Sequence, residues 1–196
     1  MTKHEKRIRR TPEEARTLIL DAAEKIGGGP AGLRLQDVAK AAGVSHPTIL
    51  HHFGSREGLI RALNLRALEN LTEAVVDRIG NDERGRGGIA RTFAAYRDGM
   101  AERLIWLLQS GALPPDGPLP LFEKIVERLH AERVRLALPG HEPDIADTRH
   151  VVHLTAVAAL GDALMGRRLR HGSGDTAEAF EHFLAGLIED FVNARR

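Results

Sequence analysis

Glycine and proline cut this 196-residue chain into segments whose apolar residues recur at three- and four-residue spacing, which leaves helices as nearly all it can build. Ala, Leu, Arg and Glu dominate the segments, and runs of β-branched residues are scarce. One Tyr, one Trp and six Phe are too few for a typical all-β domain. Thr11-Pro12-Glu13-Glu14 reads as a helix start: Thr11 can cap, Pro12 suits the first helical position, and Glu14 completes a capping box. Gly27-Gly28-Gly29-Pro30 stops that helix. A short helix over Leu35–Ala42 follows, then a second from Ser45 to Phe53-Gly54, and a long one capped by Ser55 and running to about Ile79. A Gly-rich, charged break covers 80–88. Helical signal returns over 89–113 with a kink near Gly99, then over 119–138, over 143–170, and in a last helix where Asp175 and Glu178 have capping-box spacing. The spacing predicts about nine helices, three short ones followed by longer ones.

Without cysteine, disulfide and thiolate chemistry are excluded. No run of apolar residues exceeds five, Leu104 to Leu108 being one, so no membrane span fits. The basic N-terminus lacks the hydrophobic stretch of a secretory signal, and the expected location is the cytoplasm. The net charge of +1 hides a polarity. Residues 1–66 hold 12 Lys+Arg against 7 Asp+Glu, a net of +5, and residues 67–196 hold 16 against 20, a net of −4. A basic first third suggests that one end faces a polyanion.

The stretch from Gln36 to Phe53 has the form of a helix-turn-helix. Ala39 is small where two helices would cross closely, and Gly43 can take the positive φ of a sharp turn. Val38, Val44, Ile49 and Leu50 supply apolar contacts that hold the second helix at a steep angle. With Ser45 as its cap, that helix can point its first turn into a DNA major groove, which makes His46, Pro47, Thr48, His51 and His52 available to DNA. By spacing alone, an ordinary helical hairpin fits as well.

The flanking residues decide between the two. Phe53-Gly54-Ser55-Arg56-Glu57-Gly58-Leu59 follows the second helix, and a helix of several turns precedes the hairpin. Together with Ala-Ala-Gly-Val-Ser at 41–45, this resembles the N-terminal domain of the TetR/AcrR family of bacterial regulators, over about Thr11 to Leu71. The resemblance implies an all-α chain: a basic arm (1–10), a three-helix helix-turn-helix DNA-binding domain (11–71, with the motif at about 34–53), and a larger helical effector-binding and dimerisation domain (72–196). Three residues depart from the family. Leu50 stands where Tyr is usual and cannot make that tyrosine's phosphate contact. Arg56 replaces Lys and keeps the charge. Arg34 replaces Thr and can reach phosphate but cannot cap. Phosphate candidates are Arg34, Gln36, Ser45, Thr48, His52, Arg56 and the arm; base-edge candidates are His46, Pro47, Thr48 and His51. Two bland alternatives stand beside these roles: His52 packing on the first helix, and Arg56 pairing with a nearby carboxylate.

One helix-turn-helix reads too few base pairs for a useful site, so a two-fold dimer on a palindromic operator is expected, its reading helices about 34–36 Å apart or a multiple of that. Small residues Ala156, Ala159 and Ala163 on one helix, and Phe180, Phe183, Leu184, Leu187 and Phe191 on the last, suit close helix packing. The resemblance places them in a four-helix dimer bundle; pattern alone allows burial within one protomer equally. The family also implies a small-molecule effector pocket, for which Phe93, Tyr96, Met100, Trp106, Phe122, Ile125 and His153 are candidates, against the alternative of an ordinary core. The long helix from Ser55 would be the lever between domains.

An enzyme is the rival class. His150 and His153 have a metal-compatible spacing, but no clear third ligand, HExxH, GxSxG or Walker A motif accompanies them. No catalytic residue, metal or cofactor is expected. A non-specific DNA-packaging protein is the other rival, and it would bind unrelated duplexes alike. Repression is the family's usual outcome, and the sequence leaves the sign open.

Overall fold

The computed structural model describes residues 11–26, 32–79, 86–113 and 119–194. Among them the secondary structure is helical, in the order α1 (Pro12–Ile26), α2 (Leu35–Ala42), α3 (His46–Phe53), α4 (Arg56–Arg78), α5 (Arg86–Ala95), α6 (Ala101–Gln109), α7 (Pro120–Leu136), α8 (Ile145–Gly161) and α9 (Ala177–Ala194). π-helical turns occupy Tyr96–Met100 and Asp162–Gly166. The basic arm, the stop at 27–30 and the proline-rich loop at 114–118 lie outside the described residues. The chain forms two compact units, Met1–Arg66 and Ala67–Arg196, and the division falls inside α4.

In the first unit, α1 opens on the expected capping box. The Glu14 amide donates to Thr11 Oγ1 at 3.2 Å, and the Thr11 amide to Glu14 Oε2 at 2.8 Å. One face of α1 buries Ile19, Leu20, Ala22 and Ala23. Val38, Ala39 and Ala42 of α2, Ile49 and Phe53 of α3, and Leu59, Ile60 and Leu63 of α4 complete this core. Each fully buried Leu or Ile contributes about 1.5–3 kcal/mol, so hydrophobic packing rather than helix propensity holds these eight-residue helices. Gly43 joins α2 to α3 at φ 64°, ψ 33°, and the Val44 amide reaches back to the Ala39 carbonyl at 3.0 Å. A Cβ is disfavoured at that left-handed φ, so glycine sets the turn. Arg66 ties α4 to α1 through Asp21 at 2.5 Å and Glu24 at 3.6 Å.

In the second unit, Ile89 and Phe93 of α5, Ala159 of α8, and Leu184, Ala185 and Ile188 of α9 form one apolar cluster, with Tyr96, Val151, Ala158 and Phe180 packed around it. The two π-helical turns contact each other. Asp162 is buried there between Arg97, whose Nε donates at 2.8 Å, and Arg170. Arg97 also pairs with Glu181 of α9 at 2.5 Å. An ion buried this deeply is stable only with such partners.

Three boundaries differ from the sequence reading, and the kink near Gly99 falls where it was expected. Helix α5 begins at Arg86, so Gly87 and Gly88 are helical rather than part of a break; the buried Ile89 and Phe93 outweigh the low helix propensity of glycine. The segment 143–170 starts instead at Ile145, because Asp144 Oδ1 caps it by accepting from the Ala146 amide at 2.8 Å, and its straight course ends in the second π-helical turn. At the expected kink the backbone leaves helical geometry, with Asp98 at φ −80°, ψ 21° and Gly99 at φ 106°, ψ 0°. In the last helix Thr176, not Asp175, caps: its Oγ1 accepts from the Ala179 amide at 3.1 Å, one residue later than expected.

Candidate nucleic-acid interface

Helix α3 is built to present one face. Its buried side is Ile49 and Phe53, spaced one turn apart, so Pro47, Leu50 and His51 point away from it and are exposed, while His46 shares the buried side's direction and is exposed as the first residue of the helix. The N-terminal end is fixed by Ser45, whose Oγ accepts from the Thr48 amide at 3.3 Å and lies 2.7 Å from Thr48 Oγ1. Pro47 in the first turn removes only an amide that has no intrahelical partner. Arg34 and Gln36, at the start of α2, are exposed; Arg34 precedes α2 without a side-chain cap, as its chemistry requires.

The C-terminal end is held from outside. The Gly54 amide donates to the Leu50 carbonyl at 2.8 Å. Arg16 of α1 donates from one guanidinium nitrogen to the His52 carbonyl at 2.9 Å and lies 4.4 Å over the Phe53 ring. The first turn of α4 sits so close that a Cβ on Gly58 would be 1.9 Å from the Phe53 carbonyl oxygen. Sequence reading missed Arg16, since nothing in residue spacing says which carbonyl a long side chain from another helix will reach.

The remaining candidates divide. His52 is half-buried, edge-on to both His51 and Phe53 at ring distances of 5.3 and 6.4 Å. Arg56 donates from Nε to the Leu33 carbonyl at 2.8 Å and lies 3.7 Å from Glu57, with about a third of its side chain exposed. It therefore braces the loop before α2 and still shows part of its guanidinium. Helix α3 carries no Lys, Arg, Asp or Glu, so its outward face offers hydrogen-bonding and apolar groups, while the flanking arginines supply charge. That division suits base edges on one side and phosphates on the other.

The effector candidates fall into different surroundings in the second unit. Phe93 is wholly buried and stacks edge-on with Phe180 at 5.9 Å, and Met100 is buried. Both belong to the protein interior. Tyr96 borders the same cluster, and burial pushes its hydroxyl pKa up. Phe122 and His153 pair edge-on at 6.2 Å between α7 and α8, while Trp106 and Ile125 are half-buried. The dimer candidates also divide. Ala159 and Leu184 are buried in the protomer's own core. Ala156, Ala163, Phe180 and Phe191 are half-buried, whereas Phe183 is 67% and Leu187 50% exposed.

Comparison with known proteins bears first on the unit that holds α3. Residues 19–63 match the model of the bacterial regulatory proteins, tetR family. The HTH-type transcriptional regulator AlkX of Mycobacterium tuberculosis is 36% identical over 90 residues, covering 44% of this chain and 42% of that protein. The chain thus spans less than half the length of that curated relative. Among solved structures, a tetR-family transcriptional regulator from Streptomyces coelicolor superposes with a TM-score of 0.56 at 18% identity, over 94% of this chain and 84% of the other. The TetR family repressor AlkX from Dietzia sp. gives 0.52 at 20% identity, over 92% and 94%. At these identities the structural likeness is one of fold. Among the described residues no helix is long and apolar enough to cross a membrane.

Proposed function

We propose that this chain, whose residues 19–63 match the model of the tetR family of bacterial regulatory proteins, is a member of that family and a homodimeric repressor of transcription that binds a palindromic DNA operator and leaves it when a small molecule binds. The observation that carries the reading is helix α3, capped at one end and braced at the other, with Pro47 and His51 exposed on its outer side, His46 exposed at its first position and Thr48 half-buried beside the cap. In this reading Pro47 meets a thymine methyl, His46 and His51 hydrogen-bond base edges, and Arg34, Gln36, Ser45, Thr48, His52 and the exposed part of Arg56 contact phosphates. A helix reading about half a turn of duplex needs a second copy, and Phe183 and Leu187 are apolar groups suited to meeting one. The effector site would draw on the half-buried Tyr96, Trp106, Phe122 and Ile125 and the exposed His153; Tyr96 and Trp106 pair an apolar ring with a polar tip. An effector releases DNA only by binding more tightly to a conformer that grips it poorly. The proposed place of action is the cytoplasm, where operator DNA lies.

The test is selection of bound sequences from a random duplex pool, followed by affinity measurement on the recovered sequence and on a shuffled version of the same composition. The expected result is an inverted repeat bound about 10³-fold more tightly than the shuffled duplex. Affinities within a few-fold of each other would sink the reading and favour a packaging protein.

A further inference from the structure

We propose that Arg16 is a positioning residue for the reading helix: through the His52 carbonyl and the Phe53 ring it sets the angle at which α3 meets DNA, and so sets sequence discrimination without itself touching DNA. The inference rests on the DNA-binding reading of α3. The last four carbonyls of a helix lack intrahelical partners, and the negative end of the helix dipole lies there. In α3 the Leu50 carbonyl is taken by the Gly54 amide, and the His52 carbonyl by Arg16, from 36 residues earlier in the chain. The same guanidinium lies over the Phe53 ring, its central carbon 4.4 Å from the ring centre, and Phe53 is the buried foot of the helix. One planar cation therefore holds both the backbone and the anchoring side chain at the end of α3 away from Ser45. Arginine alone combines a forked donor with a face that stacks on an aromatic ring. A helix fixed at Ser45 and released at His52 can swing about its cap. Base-edge hydrogen bonds depend steeply on such alignment, whereas contacts to phosphate tolerate it.

The experiment uses the full chain and the two duplexes defined above, the selected sequence and its shuffled version, over a series of salt concentrations. Arg16→Met keeps an apolar stem over Phe53 and removes the charge and the donor. Expected are a helical spectrum like that of wild type, an unchanged affinity for the shuffled duplex, an unchanged slope of log affinity against log salt, and a loss of at least about tenfold on the selected duplex. Arg16→Lys, which can donate to the His52 carbonyl but cannot stack, should recover part of that loss. Equal losses on both duplexes, with a salt slope lower by about one, would overturn the proposal by making Arg16 a phosphate contact. No loss on either would overturn it as well. If Arg16→Met fails to fold, Arg16→Lys carries the test alone: a loss confined to the selected duplex supports the proposal, and a loss on both or neither overturns it. A wild-type chain that binds the two duplexes alike defeats the reading of α3 itself, a failure seen before any variant is made.

Discussion

Single residues at the reading head are constrained by contacts that their type alone does not reveal. Gly58 lies in α4, where alanine ordinarily adds about 1 kcal/mol of helix stability. Here the added Cβ would stand 1.9 Å from the Phe53 carbonyl oxygen, a backbone atom that cannot swing aside. Such overpacking costs about 1–3 kcal/mol or more. Gly58→Ala should therefore lower the urea midpoint of unfolding, and a midpoint at or above that of wild type would show that the turn between α3 and α4 has slack. Gly43 could be assigned from sequence because a sharp turn demands its φ. Gly58 stood within the quoted motif, but the close approach that requires it is a distance between two helices, and spacing along the chain carries no such distance. Arg56 is a mixed case. Its charge fitted a phosphate contact, and the structure adds a donation to the Leu33 carbonyl that removes part of its freedom.

At the scale of elements, the helices of the first unit follow from local chemistry. The Thr11 capping box, the Gly43 turn and the Ser45 cap are short-range devices, so their boundaries could be read directly. In the second unit tertiary packing decides more. Gly87 and Gly88 become helical because Ile89 and Phe93 need the core, and the π-helical turns at Tyr96–Met100 and Asp162–Gly166 belong with a buried ion cluster that pattern reading does not see. Helices α7 and α8 are joined by another pair, Arg149 to Glu123 at 2.7 Å. The hydrogen bond from Arg149 holds the Glu123 carboxyl below its ordinary pKa. A carboxylate depressed in the folded state adds stability above its unfolded pKa and loses it as pH falls through the folded one. Glu123→Gln should therefore flatten the acid side of a plot of thermal midpoint against pH and leave the region below the folded pKa unchanged. Parallel curves for the two proteins would mean that the pair carries no net stabilisation.

For the whole molecule, the outer sides of α8 and α9 leave large apolar groups open, among them Val157 at 54% and Phe183 at 67%. The sequence supplied the candidate residues but could not separate inward from outward: Leu184 and Phe183 are neighbours in the chain, yet one is buried and the other is largely exposed. Phe183→Glu should leave the protomer folded, because the side chain is largely outside the core. It should weaken self-association at least about tenfold in sedimentation velocity, as expected for an aromatic anchor at a protein interface. An unchanged association constant would place the contact elsewhere.

The openness of Phe183 reaches beyond packing. If the chain shelters this ring by pairing with a copy of itself, as proposed above, it obeys second-order mass action at low abundance. Halving the number of molecules in a cell would then cut the population of paired reading heads about fourfold. Gene dosage, synthesis rate and proteolysis would each be felt at the promoter more steeply than in proportion, and the apolar face would act as a threshold on when the controlled genes escape.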